Sequence, residues 1–256
     1  DKTLLKGLMV LEAVAQQAGD SITIQALADQ VGLTKSNTHR TLQTLAHAGY
    51  AVRDEATGNY RSTLKLFELG AQQLAHLDVR RFASPYMRRL ADAAQETVHL
   101  SILDGDSVVY VDKIESAQPV RAYSVIGGRA PAYCVATGKV LLAFQSDNYV
   151  SLHVNELKSF TPATIIDHAA LATELARIAR AGYAVNRGEW RDTVGGIAAP
   201  VFDGFGAAVA AIGISGPMER LSQKRVKTLV PDVLSAGRDI SRALGYRRPY
   251  FGDAAG

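Results

Sequence analysis

The N-terminal stretch carries apolar residues at steps of three and four positions, a spacing that places them on one side of an α-helix. This pattern predicts an amphipathic helix that buries its apolar side and ends at a glycine C-cap, Gly19. The predicted buried side consists of Leu4, Leu8, Leu11, Val14 and Ala15.

Two further helical patterns follow, each opened by a threonine, which is a favoured N-cap residue. Thr23 precedes one apolar stripe and Thr34 precedes the next, with Gly32 placed between them for a left-handed turn. The two stripes are Ile24, Leu27, Ala28 and Val31, and then Thr38, Leu42 and Leu45. Two short extended runs then flank a turn at residues 57–59, which predicts a small β-hairpin.

The third helix opens with short polar side chains, which are poor helix fillers because they compete with the backbone for hydrogen bonds. Three helices, a tight glycine turn and a hairpin make a winged helix-turn-helix, whose third helix enters the DNA major groove. Arg40 and Asn37 suit purine edges, and the neighbouring positions suit phosphates or the DNA backbone. We therefore predict that double-stranded operator DNA is contacted by Lys35, Ser36, Asn37, Thr38, His39, Arg40, Thr41, Arg53 and Arg61.

Charge and composition exclude few classes of protein or partner. The net charge of +3 is too small to identify a partner, and a polar helix face that is merely solvated is the alternative to DNA binding. The 256 residues are enough for one large or two smaller domains. A lone Cys134 excludes an intramolecular disulfide framework. Without a signal-peptide pattern or a membrane-spanning apolar run, we expect a cytoplasmic protein with no membrane partner.

The remaining sequence mixes β-rich runs with helical periodicity. "TVHLSIL" and "SVVYVDKIE" flank the turn residues "DGDS", and "VRAYSV" is a third candidate strand. "GGIAAPVFD" and "AAVAAIGISG" predict two more strands, while "DHAALATELARIARAGY" has the spacing of a helix. The C-terminal pattern predicts either a helix pair or one helix bent at Pro231. The fold class is therefore α+β, with an antiparallel sheet flanked by helices.

The segment "VIGGRAPAYCVATGK" is glycine-rich and enters a predicted helix near Val135. Backbone amides at a helix start attract anions such as carboxylates. The segment is not a phosphate-binding P-loop, because no Ser or Thr follows Lys139 and Tyr133 replaces a required glycine. The alternative is that Gly127 and Gly128 merely permit a loop.

An enzyme is a remote alternative. Cys134 is the candidate nucleophile, and His99, His153 and His168 are candidate bases, but no local signature pairs them. A lone cysteine is more often a small buried hydrophobic residue. No set of His, Cys, Asp and Glu has the spacing of metal ligands, so we expect no metal and no cofactor.

Several separated motifs together resemble the IclR family of bacterial transcriptional regulators. The helix-turn-helix core carries "ALADQVGLTKSNTHRTLQTLAHAGY", followed in family order by "LKLFELG" and "GGRAPAYCVATGKVLLAF". "GYAVNRGEWRDTVGGIAAPVFD" and "AAIGISGP" complete the match over nearly the whole chain. The resemblance implies a winged helix-turn-helix domain over residues 1–62, a linker helix over 63–83 that helps pair protomers, and a GAF-like effector domain over 84–256.

The resemblance also implies an effector site. Backbone amides at Ala136 and Thr137 would hold the carboxylate of a small organic acid, with further contacts from Gly196 and Ser215. Family members often carry Cys at the position of Gly196 and Ser at that of Gly213, and this sequence lacks both side chains. Asn186 aligns with an acidic family position, and the small wall residues are Ala122, Ala130 and Val194. Tyr133 and Trp190 lie nearby in sequence and would add flat aromatic surface.

The sequence thus predicts a homo-oligomeric transcriptional regulator, a homodimer or a dimer of dimers, with repression favoured slightly over activation. Its DNA affinity would respond to a small carboxylate, with aromatic acids among the candidates, since small wall residues leave room beyond a two-carbon acid. The main alternative is a ligand-insensitive DNA-binding regulator, because the side chains missing at Gly196 and Gly213 would have served the effector.

Overall fold

The computed structural model describes residues 2–17, 20–75, 78–146 and 148–251. The chain divides into two compact units, residues 1–76 and 77–256. The predicted C-cap at Gly19 lies outside the described residues. The predicted domain boundaries stay predictions; within the span 63–83 the structure has the helix Lys65–Ala75 and the start of the helix Asp78–Ala94.

The N-terminal unit is a winged helix-turn-helix. Its elements are α1 (Lys2–Ala15), α2 (Ile24–Val31), α3 (Lys35–His47), β1 (Ala51–Arg53), β2 (Tyr60–Ser62) and α4 (Lys65–Ala75). The predicted caps are confirmed: Thr23 Oγ1 accepts from the Ala26 amide at 3.1 Å, and Thr34 Oγ1 accepts from the Asn37 amide at 3.3 Å. Gly32 adopts φ 65°, the left-handed conformation that ends α2.

The buried side of α1 differs from the prediction. Val10, Ala13 and Val14 form the core side, packed with Leu27, Leu42, Ala51 and Tyr60. Leu4 and Leu8 of the predicted side are 63% and 47% exposed. Because α1 is apolar on more than one side, its periodicity fits two overlapping stripes, and contact with the small core selects the stripe that includes Val10.

The second unit is an antiparallel sheet with helices on both faces. Its strands are β3 (Thr97–Asp104), β4 (Ser107–Ile114), β5 (Arg129–Pro131), β6 (Ala184–Arg187), β7 (Val194–Phe202) and β8 (Ala208–Pro217). Its α-helices are α5 (Asp78–Ala94), α6 (Ala136–Ala143), α7 (Tyr149–His153), α8 (His168–Ala181) and α9 (Gln223–Ala243), and a 3₁₀ turn covers Ala132–Cys134. The strand order is β5-β4-β3-β8-β7-β6. One core lies between the sheet and α5 and α9, and the other between the sheet and α6 and α8.

The predicted α+β class and the hairpin around "DGDS" are confirmed, since β3 pairs with β4. The predicted strand "VRAYSV" is wrong, because residues 120–125 carry no strand and the third strand of this region is β5. Val120 and Tyr123 are 66% and 72% exposed, so the β-branched and aromatic residues that suggested a strand have no sheet to pack on. At the C-terminus α9 runs as one helix through Pro231.

Candidate functional site

The first turn of α3 presents a polar surface to solvent. Lys35, Ser36, Asn37 and Arg40 are exposed, while His39 and Thr41 are half-buried. Thr38 is fully buried, and its hydroxyl donates to the carbonyl of Thr34 at 3.1 Å. The predicted phosphate contact of Thr38 therefore does not fit the structure: the residue lies one helical turn after the cap, on the side that faces the core.

The hairpin β1–β2 adds two exposed arginines. Arg53 lies opposite Tyr60 and Arg61 opposite Val52, so alternation along the strands puts the two arginines on opposite faces of the hairpin. Asp54 holds the turn by accepting from the amides of Ala56 and Thr57 at 2.8 and 3.1 Å. These backbone hydrogen bonds, that of Thr57 foremost, hold the pKa of the Asp54 carboxyl below its usual value.

A cavity in the second unit lies between the start of α6, the sheet and two loops, and it opens to solvent. Eight of the predicted effector residues line it: Ala122, Ala136, Thr137, Asn186, Trp190, Val194, Gly196 and Ser215. Seven further lining residues were not predicted as effector contacts: His99, Tyr110, Tyr123, Ser124, Val135, Arg191 and Ile214. Whether these side chains contact an effector stays a prediction.

Ala130 and Tyr133 are not among the lining residues, and their predicted roles do not fit. Ala130 is buried in β5, paired with Val108. The Tyr133 hydroxyl donates to the Lys158 carbonyl at 2.9 Å and accepts from the Lys158 amide at 2.7 Å. Tyr133 is close to the cavity in sequence, but it is buried and lines a different pocket, together with Lys158 and Phe160.

Sheet register brings cavity-lining residues of three strands into one row. Asn186 of β6 lies opposite Gly196 of β7, which lies opposite Ser215 of β8. A Cβ at Gly196 would lie 3.8 Å from both Ala136 Cβ and Ser215 Cβ. A Cβ at Gly213 would lie 3.0 Å from Thr137 Cγ2 and 2.9 Å from Ala198 Cβ. Gly213 therefore lets α6 approach the sheet closely, whereas a Cβ at Gly196 would lie 2.9 Å from the Ile214 carbonyl oxygen of the neighbouring strand, which accounts for the lack of side chains at both positions.

Helix α6 begins without a side-chain cap. Its N-cap residue is Val135, with φ −123° and ψ 149°, and no side chain there accepts a hydrogen bond from the first turn. The amides of a helix start carry a partial positive charge and point out of the helix. Val135, Ala136 and Thr137 all line the cavity, so this start is directed at the space where a ligand would lie.

The opposite wall carries a buried imidazole. His99 Nε2 lies 2.6 Å from Ser215 Oγ, and His99 Nδ1 lies 3.3 Å from Ser124 Oγ. Burial, with the charge of Lys113 as a smaller cause, lowers the pKa of His99 to about 4, so the ring is neutral at pH 7. Burial also raises the pKa of Tyr110, whose ring lies 4.9 Å from that of His99, to about 12. A histidine between buried apolar positions of "TVHLSIL" was the sequence signal for this wall.

A buried ion pair fixes the loop that follows β6. Lys139 of α6 donates to both carboxylate oxygens of Glu189 at 2.7 and 2.8 Å and to the Val185 carbonyl at 2.8 Å. Burial raises the pKa of the Glu189 carboxyl, and the neighbouring ammonium works against that rise. The Glu189 amide donates to Asn186 Oδ1 at 3.0 Å. The loop that carries Trp190 and its neighbour is thereby tied to α6.

Arg191 brings a positive charge to the mouth of the cavity. Its guanidinium lies 4.6 Å from the centre of the Trp190 ring, within range of a cation–π contact. Its charge also acts on the Tyr110 phenol across the cavity, lowering a pKa that burial raises. The fifteen lining residues include no Asp or Glu, so the cavity has positive charge and hydrogen-bond donors without a competing carboxylate.

The features expected of an enzyme are weak in this chain. Cys134 is buried, and burial raises the pKa of its thiol to about 12, so the reactive thiolate is disfavoured. Within the described ranges, no group of three His, Cys, Asp or Glu side chains is placed to hold a metal ion. The helices of the same residues include none that is both long enough and apolar enough to cross a membrane.

A winged helix-turn-helix joined to a sheet domain, whose cavity is lined by hydrogen-bond donors, is the architecture of a class of DNA-binding transcriptional regulators. Two family descriptions match the chain: the IclR helix-turn-helix domain over residues 3–55 and the bacterial transcriptional regulator IclR C-terminal domain over residues 71–242. The chain belongs to the IclR family of transcriptional regulators and is not an enzyme.

Three similar proteins place it within that family. The HTH-type transcriptional regulator KdgR of Escherichia coli K12 is 39% identical over 246 residues, covering 95% of this chain and 93% of KdgR. The HTH-type transcriptional repressor AllR of the same organism is 32% identical, covering 96% and 91%. The crystal structure of an IclR homolog complexed with 4-hydroxybenzoate, from Microbacterium hydrocarbonoxydans, superposes with a TM-score of 0.82 at 25% identity, covering 94% and 98%.

Proposed function

We propose that this regulator binds operator DNA through the exposed start of α3 and the wing, and that a small carboxylate in the cavity changes its DNA affinity. The residues proposed for DNA contact are Lys35, Ser36, Asn37, His39, Arg40, Thr41, Arg53 and Arg61. Repression is the favoured direction, supported by the similarity to a named repressor. The cytoplasmic location stays a prediction.

The observation that carries the effector proposal is the uncapped start of α6 in the wall of the cavity. A carboxylate placed there accepts hydrogen bonds from the amides of Ala136 and Thr137 and is favoured by the helix dipole. Arg191 at the mouth adds attraction, and the lining residues contribute no negative charge against it. A small organic acid is therefore the ligand class that the chemistry of the cavity favours.

Aromatic acids are included among the candidates. The side chains of Tyr110, Tyr123 and Trp190 supply aromatic surface to the cavity. The similar protein from Microbacterium was crystallised with 4-hydroxybenzoate, an aromatic carboxylate. These two observations support an aromatic acid without restricting the cavity to one.

The proposed mechanism follows from linkage. In a homodimer, or a dimer of dimers, the operator requires two recognition helices at one separation and tilt. An effector that binds one arrangement of the protomers more tightly must change DNA affinity by the same factor. Typical couplings of about 1–3 kcal/mol correspond to about five-fold to 150-fold changes in affinity.

The effector arm of the test uses Trp190, which is the only tryptophan of the sequence and lines the cavity. Titration with a panel of small organic acids, 4-hydroxybenzoate included, should change its fluorescence dose-dependently. Ala136→Pro removes one amide donor, while the extended Val135 backbone already suits a following proline. Loss of a charge-assisted hydrogen bond costs about 1.5–3 kcal/mol, so affinity should fall about ten-fold or more.

His168→Pro is the matched control, because it places proline at the first position of α8, outside the cavity. Unchanged affinity in Ala136→Pro would contradict the placement of the carboxylate. A flat response of the folded protein to the whole panel would favour the ligand-insensitive regulator instead.

The DNA arm uses a duplex selected from a random-sequence pool by the wild-type protein. Arg40→Ala should weaken binding by about 1–3 kcal/mol and relax the sequence preference at one position. Lys224→Ala removes the same charge from an exposed site on α9 and is the control. Equal affinities and preferences in the two variants would refute the role given to Arg40.

A further inference from the structure

The wall opposite α6 has a hydrogen-bonding pattern that a carboxylate does not match. There, His99 lies between the hydroxyls of Ser215 and Ser124, at 2.6 and 3.3 Å. All three residues line the cavity. His99 is 4% exposed, so its ring has little access to solvent and its hydrogen bonds are made with protein groups or with a ligand.

A neutral imidazole has one N–H donor and one acceptor nitrogen. One serine must therefore donate to the ring, while the other accepts from it and keeps its own hydroxyl proton available. Both serines also retain acceptor lone pairs. Whichever tautomer His99 adopts, this wall offers one hydroxyl proton and several lone pairs to the cavity.

A ligand hydroxyl matches this wall because it donates and accepts at once, whereas a carboxylate or a ketone only accepts. We propose that the cavity recognises a hydroxylated carboxylate, with its carboxylate at the start of α6 and a hydroxyl in the subsite formed by Ser215, His99 and Ser124. This inference rests on the proposed function and adds the class of acid. We call these three residues the hydroxyl subsite.

The two ends of the cavity are close enough for one small molecule. Ala136 and Ser215 both have their Cβ atoms 3.8 Å from the point where Gly196 would carry a Cβ. The start of α6 and Ser215 are therefore neighbours on either side of Gly196. A short acid with a hydroxyl a few bonds from its carboxylate therefore spans the gap.

The position of Ser124 is fixed by neighbouring contacts. Lys113 Nζ donates to the Ser124 carbonyl at 2.7 Å. The end of the same loop bonds to β4, with the Tyr110 amide donating to the Gly128 carbonyl at 3.0 Å and the Gly127 amide to the Tyr110 carbonyl at 2.8 Å. The loop is thus tied to the sheet at residue 124 and again at residues 127 and 128, and the hydroxyl subsite is built before a ligand arrives.

The test compares acids that differ only in hydroxylation, through the fluorescence of Trp190. The pairs are 4-hydroxybenzoate with benzoate, 3-hydroxybutyrate with butyrate, and gluconate with hexanoate. In at least one pair the hydroxylated acid should bind ten-fold or more tightly than its partner. Ser215→Ala and Ser124→Ala should reduce that ratio to three-fold or less, while Ser151→Ala, an exposed serine on α7, should leave it unchanged.

The outcomes separate this inference from the proposed function. If members of every pair bind equally well, the hydroxyl subsite is refuted while the carboxylate site stands. If the ratio persists in both cavity serine variants, hydroxyl recognition lies elsewhere and the assignment of the subsite is wrong. If no acid binds to the folded protein, the proposed function and the hydroxyl subsite fall together.

Discussion

Helices α3 and α6 both begin at a surface proposed to bind an anion, but they begin in opposite ways. At α3, the Thr34 hydroxyl accepts from the first turn, so the helix is complete by itself and its exposed side chains are available to a partner. At α6, Val135 provides no side-chain cap, and the first turn is enclosed in a cavity. One helix offers side chains and the other offers backbone.

The difference suits the two ligands. A long, highly charged duplex is contacted by side chains that extend from the surface and distinguish base edges. A small acid is enclosed, and fixed backbone dipoles hold it without the entropy loss of ordering long side chains. The amides of α6 must then be held in place by the rest of the fold, and the buried pair Lys139–Glu189 does so.

The largest effect is expected where this support is removed. Lys139→Met leaves the Glu189 carboxylate buried without its partner, which typically costs about 3–5 kcal/mol. Unfolding in guanidinium chloride, followed by the fluorescence of Trp190, which lies next to Glu189 in the loop after β6, should show the decrease in the free energy of unfolding. Adding Glu189→Gln removes the stranded charge and should recover more than half of it. A single variant as stable as the wild type would show that the pair does not support α6.

A smaller effect is expected from pH at the wall opposite α6. The folded pKa of His99, about 4, lies below the ordinary value of 6.5. Above pH 6.5 the ring is neutral in both states and contributes nothing. As pH falls from 6.5 to 4, His99 becomes protonated in the unfolded chain but stays neutral in the folded chain, so the free energy of unfolding decreases.

The expected loss from His99 between pH 7.5 and 5 is about 2 kcal/mol. The same Trp190 signal measures it in the wild type and in His99→Gln, which has no titrating ring. The variant should lose less stability than the wild type over this interval. Equal losses in both would contradict the shifted pKa.

The smallest effect is expected at the cap of α3. Thr34→Ala removes the acceptor for the Asn37 amide and should destabilise the N-terminal unit by about 1 kcal/mol. Thermal unfolding followed by far-UV circular dichroism measures the shift. Ser36→Ala in the same first turn is the matched change, because it removes an exposed hydroxyl that is not the N-cap. Equal losses of stability in the two variants would contradict the role given to the Thr34 cap.

The two helix starts also differ in how far the sequence predicts them. The capping residue Thr34, the glycine turn at Gly32 and the polar first turn depend only on residues close in sequence. The sequence alone therefore predicts α3 and its N-cap correctly. The prediction for Thr38 was wrong because the spacing of Thr38 and Leu42 already placed Thr38 on the buried side of the helix. Its polar side chain was nevertheless also assigned to DNA contact. A helix pattern predicts contacts correctly here only when each residue is assigned either to the buried side or to the exposed side, and not to both.

The cavity depends on pairings that no local rule contains. His99 meets Ser215 because β3 and β8 pair in one register, and Ser124 reaches the same ring from a loop that the sequence suggested to be a strand. The family resemblance supplied residues at known motif positions, such as Ala136 and Gly196, but not these contacts. Tyr133, chosen for its nearness in sequence, lines a different pocket.

The Lys139–Glu189 pair has a second consequence, for behaviour at high protein concentration. Strand β6 is an edge of the sheet, and an edge with unpaired amides and carbonyls templates aggregation between chains. Here the Val185 carbonyl accepts from Lys139, and the Arg187 amide donates to Glu189 at 3.3 Å. The other edge, β5, has three residues and ends in Pro131. The charged side chains that hold the cavity loop thus also occupy backbone groups at the edge where a strand of another chain would pair to extend the sheet.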